Sequence, residues 1–166
     1  MNPMDDLRDV VAASLLERAA AVSRLLHELG VPHALIGGLA VGVHGHPRGT
    51  KDVDFLVGNE AFATTVPLLV YREELKELVR MGETDIMSVP PRYPALQDEL
   101  RLQDEIPVIS LAGLVLMKLD ANRPQDREDV RRLLSRAPER VLEVRDHLAE
   151  HAPELLTRLG EALGGF

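Results

Sequence analysis

The chain has no cysteine and no tryptophan, and aromatic residues make up only 3% of its 166 residues. The absence of cysteine excludes disulfides, thiolate catalysis and cysteine-ligated zinc. With so few aromatics, we expect a core built from leucine, valine and alanine. At this length we expect a single domain, residues 1–166, that buries roughly 70% of the surface exposed by its unfolded chain.

Positive charge is also scarce, with 27 acidic against 19 basic residues and a formal net charge of −8. An extended nucleic-acid-binding surface needs a basic patch or stripe and is therefore not expected. The sequence has no apolar run of about 18 residues. Its first residues also lack a basic segment followed by an apolar core. We expect a soluble cytoplasmic protein without a membrane partner.

The first 30 residues show helical periodicity. Apolar residues recur at steps of three, four and seven: Leu7, Val11, Leu15, Val22, Leu26 and Leu29. The spacing predicts an amphipathic helix over 2–29, with Asn2 as its cap, Pro3 in its first turn and Gly30 just past its end. This helix can serve packing, or it can form an interface with a second copy or a partner protein.

After Gly30 the pattern changes to short apolar runs separated by turn residues. Val53, Phe55 and Val57 alternate with other positions, as strand residues do. Strands are predicted over 33–36, 53–57, 84–89 and 106–109. Helices are predicted over 39–44, over about 60–70 and from Ser110 onward. The order predicts an α/β (α+β) fold, with a small mixed sheet flanked by helices over 31–110 and a helical C-terminal half over 111–166.

Two aspartates, Asp52 and Asp54, lead the predicted strand 53–57. Residues two apart on a strand point to the same face, and hard cations such as Mg²⁺ prefer carboxylate and phosphate oxygens. Asp85, on the strand predicted over 84–89, is a candidate third carboxylate, and Glu83 has the same strand parity. The alternative interpretation is a solvated strand end, with Asp85 an ordinary exposed residue.

A glycine pair, Gly37 and Gly38, directly follows the strand predicted over 33–36. Without Cβ atoms, these residues allow backbone amides to approach an anion where a helix begins. The pair belongs to neither a dinucleotide-binding fingerprint nor a P-loop. Its alternative interpretation is a tight strand-to-helix turn.

Between the glycines and the aspartates lie two basic residues, Arg48 and Lys51, which can meet triphosphate oxygens. His44 and His46 have the spacing of metal ligands on a strand. No third histidine is nearby, which argues against zinc.

Lys118 lies in a strongly apolar helix and is followed by the charged run Arg123–Asp129. A lysine in such surroundings either extends to the surface or serves a site. Asp126 and its neighbours begin the next helix, where acidic residues suit the helix dipole. The alternative interpretation is a capping and salt-bridge cluster.

Together these features resemble the nucleotidyltransferases of the DNA polymerase beta type. The signature is a Gly-Gly or Gly-Ser turn, a spacer, an Asp-x-Asp pair and a third carboxylate. The segment GGLAVGVHGHPRGTKDVDFLV is similar to the small bacterial branch that includes abortive-infection toxins. The segment PVISLAGLVLMKLDANRPQDREDVRRLL resembles the closing helices of that branch. This sequence has Gly38 where the pattern also allows serine.

The resemblance implies a nucleotidyltransferase-like fold and a metal-dependent enzyme that uses a nucleoside triphosphate such as ATP, with Mg²⁺ or Mn²⁺ as cofactor. It implies that three aspartates form the catalytic and metal-binding set: Asp52, Asp54 and Asp85. It implies a nucleotide-binding set of Gly37, Gly38, Arg48, Lys51, Lys118 and Asp126. The acceptor can be a small molecule, an RNA end or a protein hydroxyl. The alternative is a binding protein of low activity, such as a toxin–antitoxin component.

Overall fold

The computed structural model describes residues 4–165, so the predicted roles of Asn2 and Pro3 lie outside the described residues. The chain divides into two compact units. The sheet unit runs to Val43 and from Pro47 to Ile109, and the helical unit comprises His44–His46 and the chain from Ser110 onward.

The sheet unit combines short strands with helices. Its described strands are β1 (His33–Ile36), β2 (Val53–Val57), β3 (Phe62–Thr64), β4 (Val70–Tyr71) and β5 (Thr84–Ser88). Its described α-helices are α1 (Ala13–Glu28), α2 (Gly37–Val43) and α3 (Glu73–Arg80). Strand β2 lies between β1 and β5, antiparallel to the first and parallel to the second. The predicted small mixed sheet with flanking helices is confirmed.

The two faces of this sheet differ in chemistry. Leu35, Phe55 and Ile86 are register partners across the three strands, and all three are buried in the hydrophobic core. The buried residues of α1 belong to the same core: Leu15, Ala19, Val22 and Leu26. The next row across the sheet, Ile36–Asp54–Asp85, points to the opposite face because side chains alternate along a strand. Two predicted site residues thus share one face.

The N-terminal helix is shorter than predicted, because α1 begins only at Ala13 after an extended Ala12 (φ −55°, ψ 133°). A separate 3₁₀ turn spans Asp5–Leu7. A Cβ added to Gly42 of α2 would lie 2.7 Å from Leu7 Cδ2, so the break lets Leu7 pack against α2. The predicted helix end is confirmed, since Gly30 has a φ of +67° and the Val31 amide donates to the Leu26 carbonyl at 2.8 Å.

Two further predictions in the sheet unit need correction. The helix predicted over 60–70 is wrong, because this segment forms the β3–β4 hairpin. Pro67 has no amide hydrogen to donate within a helix, and the segment is rich in β-branched residues, which favour strands. The strand predicted over 106–109 is reduced to one bridge, between Val108 and Leu35. Pro107 cannot donate to a ladder, and its carbonyl instead accepts from the Leu35 amide at 2.7 Å.

The helical unit contains α4 (Leu111–Ala121), α5 (Pro124–Arg136), α6 (Val141–His151) and α7 (Leu156–Ala162). The predicted cap of α4 is confirmed, because Ser110 Oγ accepts from the Gly113 amide at 3.1 Å. Asn122 ends the helix in the left-handed conformation, with a φ of +53°. Among residues 4–165, no helix is both long enough and apolar enough to cross a membrane.

Candidate functional site

Gly37 and Asp54 are in contact in the sheet unit. Strand β1 ends at Ile36, whose register partner is Asp54, and the chain then turns at Gly37 with a φ of +69°. A Cβ at position 37 would lie 2.2 Å from Asp54 Oδ2. Only glycine both adopts this φ without strain and leaves the space that the carboxylate occupies. The two sequence motifs therefore meet at one place.

Gly38 is enclosed in a similar way by the loop that precedes β2. A Cβ at position 38 would lie 2.7 Å from Thr50 Oγ1 and 3.4 Å from Arg48 Nη1. Arg48 also donates to the Gly49 carbonyl at 3.2 Å. A serine at position 38 would collide with Thr50, which explains why glycine stands there. Arg48 is therefore held beside the glycine turn.

Asp85 lies beside Asp54 in the parallel pairing of β2 and β5. Its side chain is exposed. Tyr71 lies near it: its hydroxyl donates to the Ile86 carbonyl at 2.6 Å. Burial, and then the negative charge of Asp85, raise the pKa of Tyr71 above its ordinary value. No pattern in the sequence indicated that Tyr71 lies near Asp85. Its position depends on the pairing of β3 with β4 in the hairpin.

Glu83, the rival third carboxylate, lies outside strand β5. It has a φ of +62°, and its carbonyl accepts from the Val53 amide at 2.8 Å. Its carboxylate forms an ion pair with Arg18 of α1. Side chains alternate regularly between the two faces of a sheet only within a continuous strand, and the left-handed conformation of Glu83 interrupts that alternation. Glu83 therefore does not share the position of Asp85. The register favours Asp85 as the carboxylate beside Asp54.

Asp52 and Lys51 are exposed and come directly before β2. Among residues 4–165, no group of three or more histidine, aspartate or glutamate side chains is gathered closely enough to hold a metal. Mg²⁺ is usually held by one or two carboxylates together with substrate phosphates. The carboxylate chemistry of Asp54 and Asp85 suits such a shared site. A metal bound by all three aspartates stays a prediction.

Lys118 is buried in the helical unit within an ion cluster. Its Nζ lies 3.1 Å from Asp126 Oδ1 and 2.9 Å from Asp129 Oδ2, and Arg123 Nε donates to Asp126 Oδ2 at 2.7 Å. Burial acts to raise the pKa of Asp126. The hydrogen bonds from Arg123 and Lys118, together with the charge of Lys118, outweigh burial and leave that pKa below its ordinary value.

This arrangement has the form of a capping and salt-bridge cluster, which was the alternative interpretation of the sequence. Both carboxylates and the ammonium group are almost fully buried. A role for Lys118 and Asp126 in nucleotide binding stays a prediction.

Other basic residues of the helical unit are also paired with acids. Arg131 and Arg132 both bind Glu128, at 2.7 and 2.8 Å. This pairing reduces the positive charge that an RNA backbone would need, so these arginines give little support to an RNA acceptor.

No protein-family model matches the chain, and no curated protein matches it. Among solved structures, the chain is similar to an antigenic nucleotidyltransferase-like protein from Paracoccidioides brasiliensis. The two are 16% identical, with a TM-score of 0.49, over 90% of this chain and 94% of that chain. Likeness at this level is too weak to assign a family or an activity.

Proposed function

We propose that the protein is a metal-dependent nucleotidyltransferase. It transfers a nucleoside monophosphate from a nucleoside triphosphate to an acceptor hydroxyl and releases pyrophosphate. The observation that carries the proposal is the contact between Gly37 and Asp54, with a Cβ position 2.2 Å from the carboxylate oxygen. A glycine turn and a carboxylate suited to a cation lie side by side, and a triphosphate with its metal needs a close backbone approach as well as such a carboxylate.

The side chains around this contact have separate roles in the proposal. The turn at Gly37 and Gly38 admits the triphosphate, and the charge of Arg48 binds its oxygens. Asp52 and Asp54 hold Mg²⁺ or Mn²⁺, which when bound neutralises phosphate charge and orients the α-phosphate. Positioning and charge neutralisation supply most of the rate enhancement in such chemistry.

The transfer itself is a single displacement in the proposal. The acceptor oxygen forms a bond to the α-phosphorus, and its proton passes to the carboxylate of Asp85. The bond from the α-phosphorus to the bridging oxygen breaks, and pyrophosphate leaves with the electron pair. Asp85 suits the role of base because it is exposed and lies beside Asp54 in the sheet register.

Label transfer tests this function. The protein is incubated with α-labelled nucleoside triphosphates, Mg²⁺ or Mn²⁺, and a cell extract that supplies acceptors. We expect a labelled product, and a loss of at least about 100-fold in Asp54→Asn, as expected when a central electrostatic contact is removed. Asp146→Asn is the matched control, because Asp146 has an exposed side chain (69%) on α6.

Two results would count against the proposal. Equal labelling by the Asp54→Asn and Asp146→Asn variants would show that the carboxylate face is not the site of transfer. Absence of product with every nucleotide, together with absence of metal-dependent nucleotide binding, would favour the alternative of a binding protein such as a toxin–antitoxin component.

A further inference from the structure

A small pocket of about 210 Å³ lies in the sheet unit, between the start of α1 and the loop that leads into β2. Five polar side chains line it: Ser14, Arg18, Thr50, Lys51 and Glu83. Ligand sites for drug-sized molecules span about 300–1,000 Å³. The pocket is therefore too small for a nucleoside triphosphate and suits a molecule of only a few heavy atoms.

The charge of the pocket favours an anion. Arg18 is paired with Glu83, so these two charges offset each other. Lys51 remains, and no residue between Met4 and Gly165 forms an ion pair or a hydrogen bond with its ammonium group. This local positive charge stands out in a chain with a formal net charge of −8.

Two hydroxyl groups in the pocket are also available. Within the part of the chain that the structure describes, neither Ser14 nor Thr50 makes a side-chain hydrogen bond. Each hydroxyl offers one donor and two acceptor positions. They suit a ligand that carries hydroxyl groups as well as a negative charge.

The pocket lies at the end of the sheet where β2 and β5 begin. Thr50 contacts the turn at Gly38, and Lys51 directly precedes Asp52. Glu83 accepts from the Val53 amide at the start of β2 and stands two residues before Asp85. A molecule held here lies at the end of the sheet where the proposed transfer takes place.

We propose that this pocket binds the acceptor, and that the acceptor is a small hydroxylated anion with a carboxylate or a phosphate monoester group. The role of the bound molecule as acceptor rests on the proposed function, but binding to the pocket requires neither nucleotide nor metal. Lys51 binds the anionic group, and Ser14 and Thr50 bind hydroxyl groups. Lys51 then serves the acceptor rather than the triphosphate.

Ligand-observed NMR without nucleotide or metal tests the pocket. The probes are glycerol 3-phosphate, glycerate and glycerol. We expect at least one of the two anions to bind and glycerol not to bind; which anion binds distinguishes the phosphate from the carboxylate. Lys51→Ala should weaken binding by about fivefold, the factor that an exposed charge pair of about 1 kcal/mol provides. Lys76→Ala is the matched control, because Lys76 is an exposed lysine on α3 that pairs with Glu73.

The outcomes separate this inference from the proposed function. Asp54→Asn should bind the anion as the unsubstituted protein does while losing label transfer. Label transfer without anion binding, or equal weakening in Lys51→Ala and Lys76→Ala, would overturn the pocket assignment and leave the function standing. Anion binding that Lys51→Ala weakens, without label transfer in any mixture, would support the pocket as an anion site and overturn its role as an acceptor site.

Discussion

Gly37 lies against the carboxylate of Asp54, so closely that a Cβ on Gly37 would be 2.2 Å from Asp54 Oδ2. The two residues belong to different elements, α2 and β2, and 16 residues separate them in the sequence. The antiparallel pairing of Ile36 with Asp54 brings them together. This one contact brings two separately weak motifs to the same place.

Gly37→Ala should therefore lower both stability and nucleotide binding. The alanine would be strained at a φ of +69°, which costs about 1–2 kcal/mol, and would displace the Asp54 carboxylate. Gly30→Ala is the matched control, since Gly30 has a φ of +67° but nothing within 4 Å of an added Cβ. Urea unfolding should show the larger loss in Gly37→Ala, and only that variant should lose nucleotide affinity. Equal effects of the two substitutions would mean that the contact with Asp54 has no consequence.

Gly38 and Thr50 should show coupled energetics. An alanine at position 38 would meet Thr50 Oγ1 at 2.7 Å and Thr50 Cβ at 3.0 Å, and such overpacking costs about 1–3 kcal/mol. Thr50→Gly removes both atoms, so the double variant should recover most of the loss caused by Gly38→Ala. A double-mutant cycle on unfolding free energies should give a coupling of about 1 kcal/mol or more. Additive losses would show that Thr50 does not restrict position 38.

Some of this architecture follows from local sequence and some does not. The alternation of Val53, Phe55 and Val57 and the cap at Ser110 are local signals, and both predictions are confirmed. The break at Ala12 has no such local signal. Leu7 and Val11 keep the helical spacing, and both are buried although α1 begins only at Ala13. The left-handed conformation of Glu83 also has no local signal, because an alternation of faces inferred from the sequence assumes a continuous strand.

The site was predictable to a similar extent. Spacing predicted that Asp52 and Asp54 share one face at the start of a strand, but only the register between β2 and β5 shows that Asp85 is the neighbour of Asp54. The pairing of Arg18 with Glu83 and the packing of Thr50 beside Gly38 depend on tertiary contacts. No spacing rule in a single sequence reports contacts of that kind.

Lys118→Met should destabilise the protein strongly. It would leave Asp126 and Asp129 buried without the ammonium group that lies 3.1 and 2.9 Å from them, and breaking a buried pair costs about 3–5 kcal/mol. Lys76→Met, at an exposed pair with Glu73, should change the unfolding free energy by about 1 kcal/mol or less. Urea unfolding compares the two. Unchanged stability in Lys118→Met, with weaker nucleotide binding, would instead assign Lys118 to the nucleotide site.

His33 should make stability depend on pH. Its ring is fully buried, its Nδ1 donates to the Val31 carbonyl and its Nε2 meets Ser23 Oγ, both at 2.8 Å. Burial lowers the pKa of His33 from 6.5 to about 4. The unfolded chain therefore binds this proton first, and stability should fall by about 3 kcal/mol as the pH drops from about 6.5 to about 4.

His33→Gln removes the titrating group while retaining hydrogen-bonding atoms. Its unfolding free energy should depend less on pH over this range than that of the unsubstituted protein. The comparison is made by urea unfolding at matched pH values, and the difference between the two curves removes the contribution of the carboxylates. Parallel curves would show that His33 does not hold a lowered pKa.

Calorimetric titration with a non-hydrolysable nucleoside triphosphate, with and without Mg²⁺, tests the central claim most directly. The proposed site predicts metal-dependent binding to the unsubstituted protein and to Asp146→Asn, and its loss in Asp54→Asn and Gly37→Ala. Equal affinities for all four proteins, or binding that does not depend on Mg²⁺, would contradict the assignment of the nucleotide site to the contact between Gly37 and Asp54.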